Sequence, residues 1–264
     1  MGSEVRADST REATDGPAAV PAATLVVPTY CEAAGLGELL RRVAAMREAA
    51  GLDLELLIVD DDSRDGTEAL VGNLQRAWPW VRLLVRHGER SLSGAVLEGF
   101  RQSRGAIVVV ADADCSHPPE AIPAMLAAVA AGADLVVGSR YVPGGSIAPG
   151  WGALRRVASL AGCALARPLT TVRDPLSGFF ALRRELLAAD AGVAPVGFKI
   201  GLELLVRLPL GRVVELPIRF APRVCGRSKL GAHQQLLFLA QLARLYLFAA
   251  RRGARSAPHR QELG

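Results

Sequence analysis

Two aspartates one residue apart, Asp112 and Asp114, close the stretch GAIVVVADADCSHPP between Gly105 and Pro119. Carboxylates at i and i+2 point to the same side of an extended chain. With no cation between them they repel. A hard divalent ion with oxygen ligands fits that gap, commonly together with a diphosphate. Asp-x-Asp is also common in surface turns, so the pair gains meaning only from its surroundings. A second acidic run, Asp60-Asp61-Asp62-Ser63, closes Glu55–Val59. Turn and capping chemistry accounts for at least one of these three acids. Three consecutive like charges are costly unless separately engaged, and one is suited to accept hydrogen bonds from a nucleobase or ribose.

The anion side needs cations. No Gly-x-Gly-x-x-Gly follows the first apolar run, where Pro28-Thr29-Tyr30 stands instead, and there is no Walker lysine. A diphosphate would therefore be held by metal and side chains rather than by a glycine cradle. Arg140, Arg155, Arg156, Arg223 and Lys229 are available, although each alone also suits a solvated surface. Arg223 and Lys229 stand out because they sit in a Gly/Ser loop straight after a strand.

Composition limits the setting. The chain has 264 residues, 50% hydrophobic and 22% charged. That suits one large α/β domain, or one with a small appendage. The net charge is +5, from 31 Lys+Arg against 26 Asp+Glu, and nearly all the basic residues are Arg. Arginine's planar fork suits phosphate, though a genome preferring Arg codons accounts for most of the excess. Aromatics are 5%, too few for stacking platforms, so no nucleic-acid partner is expected. Cys31, Cys115, Cys163 and Cys225 are far apart, and with four histidines they give neither zinc spacing nor a disulfide framework. A reducing cytosol is the expected compartment. The N-terminal MGSEVRADSTREATDG has no apolar core and is not expected to be a signal peptide.

The elements that must position these residues alternate. Strands are expected at Thr24–Val27, Glu55–Val59, Val81–Val85, Ile107–Val110 and Asp134–Gly138. Helices are expected at Glu38–Ala50, from Thr67 (as N-cap) to about Ala77, at Ser93–Ser103 and at Pro119–Ala131. That alternation argues a mainly parallel sheet with helices on both faces. Acids at the ends of two parallel strands then share one sheet edge, where open α/β sheets bind ligands. Beyond Tyr141 the pattern changes. Helices are expected at Ala153–Ala166 and Phe198–Arg207, the latter with an inward-looking Glu203. A short strand follows the Asp174–Phe180 turn, another covers Arg212–Phe220, and Ala232–Arg252 is a final amphipathic helix. The apolar core of that helix, Leu236–Ala250, is shorter than the roughly 20 residues that span a bilayer and contains Gln241 and Arg244. It suits packing on the domain and equally lying in a membrane interface.

In order and spacing, several motifs resemble the family 2 glycosyltransferases, nearest to the dolichol- or polyprenol-phosphate mannosyltransferases. They are Val27-Pro28-Thr29-Tyr30-Cys31-Glu32, Val59–Thr67, Asp112-Ala113-Asp114 with His117-Pro118, and Gly138-Ser139-Arg140-Tyr141 with Gly144-Gly145. Asp174 with Ser177-Gly178-Phe179, and Arg223 with Gly226 and Ser228-Lys229-Leu230, complete the set. The resemblance covers about residues 24–231. It implies a glycosyltransferase-A, Rossmann-like fold and a catalytic domain over 23–231, between disordered tails at 1–22 and 253–264. It implies GDP-mannose as donor, Mg2+ or Mn2+ as cofactor and a polyprenyl phosphate as acceptor, with inversion at the sugar. Pro28, Tyr30, Glu32, Val59 and Asp61 would line the nucleoside pocket. Asp112, Ala113 and Asp114 would hold metal and diphosphate, with Asp112 and Asp114 as the metal ligands. Arg140, Arg223 and Lys229, and one of Arg155 and Arg156, would meet phosphates.

The chain departs from the family pattern in places. Cys31 stands where Asn is usual, Ser93-Gly94 replaces a more Gly-rich loop, and Phe180 stands where Arg is frequent. Ser116 takes a position that can carry a further metal ligand. These departures leave open another donor such as UDP-glucose, a non-lipid acceptor, or an inactive nucleotide-binding scaffold. The expected location is cytoplasmic, with attachment to the cytoplasmic membrane face through the final helix or a membrane partner as the extension.

Overall fold

A computed structural model describes residues 20–187, 193, 198–223 and 232–256. The expectations for Lys229, Cys225, almost all of the N-terminal tail and residues 257–264 fall outside the described residues. In chain order the elements are β1 (Ala23–Thr29), α1 (Ala33–Ala49), β2 (Leu54–Asp60), α2 (Thr67–Ala77), β3 (Val81–Val85), α3 (Leu92–Gln102) and β4 (Ile107–Val110). Then come α4 (Ile122–Ala130), β5 (Leu135–Ser139), β6 (Ser146–Ile147), α5 (Ala153–Ala166), β7 (Phe180–Arg183), α6 (Ile200–Arg207), β8 (Val213–Pro217), β9 (Arg219–Phe220) and α7 (Ala232–Ser256).

Seven strands form one sheet in the order β3-β2-β1-β4-β7-β5-β8. β7 runs antiparallel to β4 and β5, and every other neighbouring pair is parallel. β1 and β2 are buried at every position. Such continuous apolar runs are what strands covered on both faces require. The two-residue alternation sorts the core. Leu25, Val27, Leu56, Ile58 and Val109 face α1, α2 and α4. Val26, Leu57, Val59, Val108 and Val110 face α3 and α6. A third cluster joins Cys163 and Ala166 of α5, Leu202 of α6, and Leu242 and Leu245 of α7. The final helix therefore packs on the domain, and Glu203 is inward-looking, at 1% exposure.

Local chemistry moves some boundaries. Thr67 is not the cap of α2. Gly66, at φ 90°, takes that position, and Asp65 Oδ1 accepts from both the Thr67 N–H and its hydroxyl. The Asp65 carboxylate also accepts from the Ala33 N–H at 3.0 Å, which fixes the start of α1 beside α2. Burial works to raise the Asp65 pKa, but these hydrogen bonds leave it below the usual carboxylate value. The strand expected over Arg212–Phe220 divides at Ile218. Pro217 has no N–H to continue a ladder, and β9 pairs instead with β6. The Pro119 segment opens as a 3-10 turn before α4. α7 continues to Ser256 rather than ending at Arg252.

Chain direction across the sheet reverses between β1 and β4. β2 and β3 lie to one side of β1, and β4 starts the other half. The strand C-termini at such a switch leave a crevice that loops do not fill. Pro28 to Tyr30, Asp60 to Asp62, and Asp112 to Asp114 all fall at that edge.

Candidate active site

Asp112 and Asp114 leave β4 in a short turn whose backbone is wound to present them. Cys115, fully buried, sits between Asp114 and Ser116 at φ 61°. That left-handed conformation is costly for a residue with a Cβ. It lets the Ser116 N–H donate back to Asp114 Oδ1 at 3.0 Å. The other Asp114 oxygen is 2.9 Å from Arg223 Nε, and Asp114 is only 4% exposed. Asp112 is held through its backbone, whose N–H donates to His117 Nδ1 at 3.0 Å. Its carboxylate is about one-third exposed and opens on a narrow cleft. Pro28, Val110, Ser177, Gly178, Lys199 and Gly201 line that cleft with it. Gly178 packs closely there: a Cβ on it would sit 3.3 Å from Asp112 Oδ1 and from the His117 ring, a tight contact.

His117 is a support. It is buried and stacks on Phe179 at 5.2 Å, with Phe220 edge-on at 5.5 Å. Burial pushes its pKa down, against the pull of Asp112 and Asp114. Accepting a backbone N–H at Nδ1 leaves the neutral ring's proton on Nε2.

Each expected cation among the described residues has a distinct position. Arg140 is paired with Asp174 through two side-chain bonds of 2.7 Å, and its own N–H adds a third at 2.9 Å. Burial opposes the charge, but the Asp174 hydrogen bond and charge leave the Arg140 pKa raised. Its guanidinium is ringed by Tyr141, Trp151 and Phe220. Arg155 lies over Trp151 at 5.6 Å. Its pKa is lowered by burial and then by Arg223, with Asp114 acting the other way, so it shares the field of both. Arg156 is exposed. Of the two, Arg155 is the one that the fold turns toward the acids.

The expected nucleoside residues are gathered at the neighbouring strand ends. Asp61 is buried, ion-paired to Arg86, and accepts from the Ser91 N–H at 2.8 Å. Tyr30 is covered by the Arg90 guanidinium, 4.5 Å from its ring centre. Glu32 stands at the N-cap of α1. Asp60 is spent on the turn, accepting from the Ser63 N–H at 2.8 Å. The side chains of Val59 and Ala113 are core, on opposite faces of the sheet. Cys31 has φ 54°, which accounts for the usual Asn: among residues other than Gly, Asn is one that tolerates the left-handed region best.

Sequence reasoning missed Lys199. It precedes α6, and its ammonium donates to the Leu176 carbonyl at 2.8 Å in the wall of the same cleft. One signal was available. The chain has only two lysines, Lys199 and Lys229, among its 31 basic residues. An Arg-rich chain that keeps a lysine at one position has reason to want a compact charge there. A larger cavity, about 580 Å3, lies elsewhere, between the end of α6, the start of β8 and Arg252. None of its lining residues is acidic, whereas the narrow cleft holds Asp112.

Comparison with known proteins places the chain. The model of the family described as glycosyl transferase family 2 matches residues 24–189. The chain belongs to glycosyl transferase family 2. Among its relatives, a dolichol-phosphate mannosyltransferase of Mycosarcoma maydis is 39% identical, over 86% of this chain and 80% of that one. The dolichol-phosphate mannosyltransferase of Saccharomyces cerevisiae is 40% identical over 85% and 87%. A polyprenol monophosphomannose synthase of Mycolicibacterium smegmatis is 38% identical over 78% and 80%. Among solved structures, glucosyl-3-phosphoglycerate synthase from Mycobacterium tuberculosis, in complex with Mn2+, uridine diphosphate and its product, superposes with a TM-score of 0.62. It is 21% identical, over 87% of this chain and 80% of that chain. At that identity the likeness shows the shared fold.

Proposed function

We propose that this family 2 glycosyltransferase moves mannose from GDP-mannose to a polyprenyl phosphate, with Mg2+ or Mn2+ at Asp112 and Asp114. The observation that carries the reading is the opposition of charge in one crevice. Asp114 of the acid pair after β4 is ion-paired to Arg223, and Arg155 lies in the field of both. The names and high coverage of the mannosyltransferase relatives support the sugar and the acceptor class.

The residues fit a divalent ion. The donor set is oxygen only, which suits Mg2+ and Mn2+. The Ser116 hydroxyl, next to Asp114, is buried with no hydrogen-bond partner among the described residues. Among those residues no cluster of three His, Cys, Asp or Glu side chains forms a closed cage, so the remaining ligands would come from the diphosphate, Ser116 and water. The bound ion supplies Lewis-acid stabilisation of the leaving diphosphate. Asp112 and Asp114 would hold it, and Arg223, 2.9 Å from Asp114, with Arg155 would offset the diphosphate charge. The acceptor phosphate is already an anion at neutral pH. It needs positioning rather than a strong base, and direct attack at the anomeric carbon inverts it. Nucleoside contacts fall to Pro28, Tyr30, Glu32 and Asp61.

A lipid acceptor also explains the outer helices. α5 exposes Leu154, Val157 and Leu165, and α7 exposes Leu236, Leu239 and Leu247. The two helices pack together, with Tyr246 Oη donating to the Leu165 carbonyl at 2.6 Å. Among the described residues no helix is long and apolar enough to cross a membrane. We infer that these two outer faces rest on a lipid surface. The test of the function is transfer of labelled mannose from GDP-mannose into the organic phase with a polyprenyl phosphate and Mn2+ or Mg2+. Metal-dependent transfer is expected, with a drop of at least a thousandfold in Asp114→Asn at unchanged melting temperature. Transfer that survives chelation, or that Asp114→Asn retains, would overturn the assignment.

A further inference from the structure

The ammonium of Lys199 is built into the cleft at evident cost. An ammonium has three donors, and the Leu176 carbonyl takes one. The aromatic face of Phe198 lies 4.9 Å away. The group stands at the N-terminus of α6, where the helix dipole opposes a cation. Arg140 adds repulsion, and burial with that repulsion draws the pKa down to about 8, while Asp112 and Asp174 favour the charge. A cation held in that position, with no other hydrogen-bond acceptor for its ammonium among the described residues, is explained by an anion that arrives later.

The surroundings say which anion. The cleft lies between Asp112 on the β4 side and Ser177, Gly178 and the start of α6 on the other. Asp114, Arg223 and Arg155 are not among the residues that line this cleft: Asp114 is ion-paired to Arg223, with Arg155 in the field of both. The main chain of Lys199 is tied to the outer helix, because Gln241 of α7 donates to its carbonyl at 3.2 Å and to Glu203 at 3.0 Å. Lys199 therefore stands between the acids and the helices that expose their apolar faces.

We propose that Lys199 is a binding residue of the transfer site, presenting its ammonium to an oxygen of the phosphomonoester that attacks the sugar. This rests on the proposed glycosyl transfer. In the step, that phosphate oxygen forms the new bond to the anomeric carbon as the bond from that carbon to the nucleoside diphosphate breaks. The bonding electrons leave with the diphosphate. Lys199 keeps its proton throughout and offsets the repulsion between the two anions. A lysine suits the place because a compact charge fits a narrow cleft where a planar guanidinium would be displaced.

The test compares the full-length protein with Lys199→Met, which keeps an apolar stem of similar length, and with Lys199→Arg, which keeps the charge. Donor affinity is measured by titrating GDP-mannose with Mn2+ and following tryptophan fluorescence. Acceptor KM and kcat are measured with a polyprenyl phosphate. Inorganic phosphate is titrated by calorimetry into the complex with GDP and Mn2+. For Lys199→Met the expected result is donor affinity within about twofold, acceptor KM raised at least tenfold and phosphate binding lost. Lys199→Arg should recover part of both. An unchanged acceptor KM, or a donor loss equal to the acceptor loss, would overturn the proposal. If the wild type transfers nothing from GDP-mannose, the transferase reading fails, and the phosphate titration still decides Lys199: equal binding by wild type and Lys199→Met rejects it.

Discussion

At the residue scale the site is a set of charges whose costs are met locally. Asp114 uses one oxygen on the Ser116 N–H and the other on Arg223. Lys199 is the group least well served, and this has a consequence for stability. Its pKa in the fold is about 8, against an ordinary 10.5. Between those values the unfolded chain binds a proton that the folded chain lacks, so raising the pH through that window favours folding. Below pH 8 both states carry the charge, and the full penalty of burying it applies. Lys199→Met removes the penalty. The variant should be more stable than the wild type at pH 7, and the gap should shrink by on the order of 1–3 kcal/mol between pH 8 and 10.5. Urea unfolding of both proteins at pH 7, 9 and 10.5 measures it. A gap that stays constant with pH would show that the ammonium is not desolvated in the fold.

At the scale of elements, the order and approximate bounds of strands and helices were legible, because strands buried on both faces and helices with one apolar stripe leave strong periodic signals. β4 was read to the residue, and the acid pair was legible with it, since an Asp-x-Asp at a strand end needs no knowledge of the rest of the chain. What the sequence could not show was contact across the chain. Nothing near Arg140 marks Asp174 as its partner, and nothing near Lys199 marks it as facing Asp112. Phe180 stands where Arg is frequent, and its position alone does not show what surrounds it. In the fold it is core, 1% exposed beneath α6. The Arg140–Asp174 pair fixes the loop before β7 against the end of β5. Asp174 is fully buried, and the Arg140 side chain is 8% exposed. Asp174→Ala leaves a buried guanidinium without its carboxylate, and removing one partner of such a pair costs about 3–5 kcal/mol. Guanidinium chloride unfolding checks it. A loss below about 1 kcal/mol would mean that water replaces Asp174, and that the pair is no structural clamp.

At the scale of the molecule, two separate surfaces have to meet one reaction. In the proposed function the polar donor is taken at the strand C-termini, on both sides of the switch between β1 and β4. The apolar acceptor has to arrive with its tail still shielded from water. The packing of α7 reconciles the two needs, because its faces differ in neighbour rather than in polarity. Leu242 and Leu245 are buried against α5 and α6, while Leu236, Leu239 and Leu247 are left in solvent. Packing on the domain and the proposed contact with lipid then fall to opposite sides of one helix. Exposed leucines on adjacent helices, with the exposed Arg156 of α5 beside them, suit an anionic lipid surface, where each cation adds about 1 kcal/mol. Replacing Leu154 and Leu247 together by Glu removes apolar area from both helices and adds repulsion, without touching the cleft. The double variant should lose at least tenfold in association with phosphatidylglycerol vesicles, and keep GDP-mannose affinity within about twofold. Vesicle flotation and donor titration of the same preparation measure the two effects. Unchanged flotation would mean that the lipid reaches Lys199 without this face, and a partner protein at α7 would then have to deliver it.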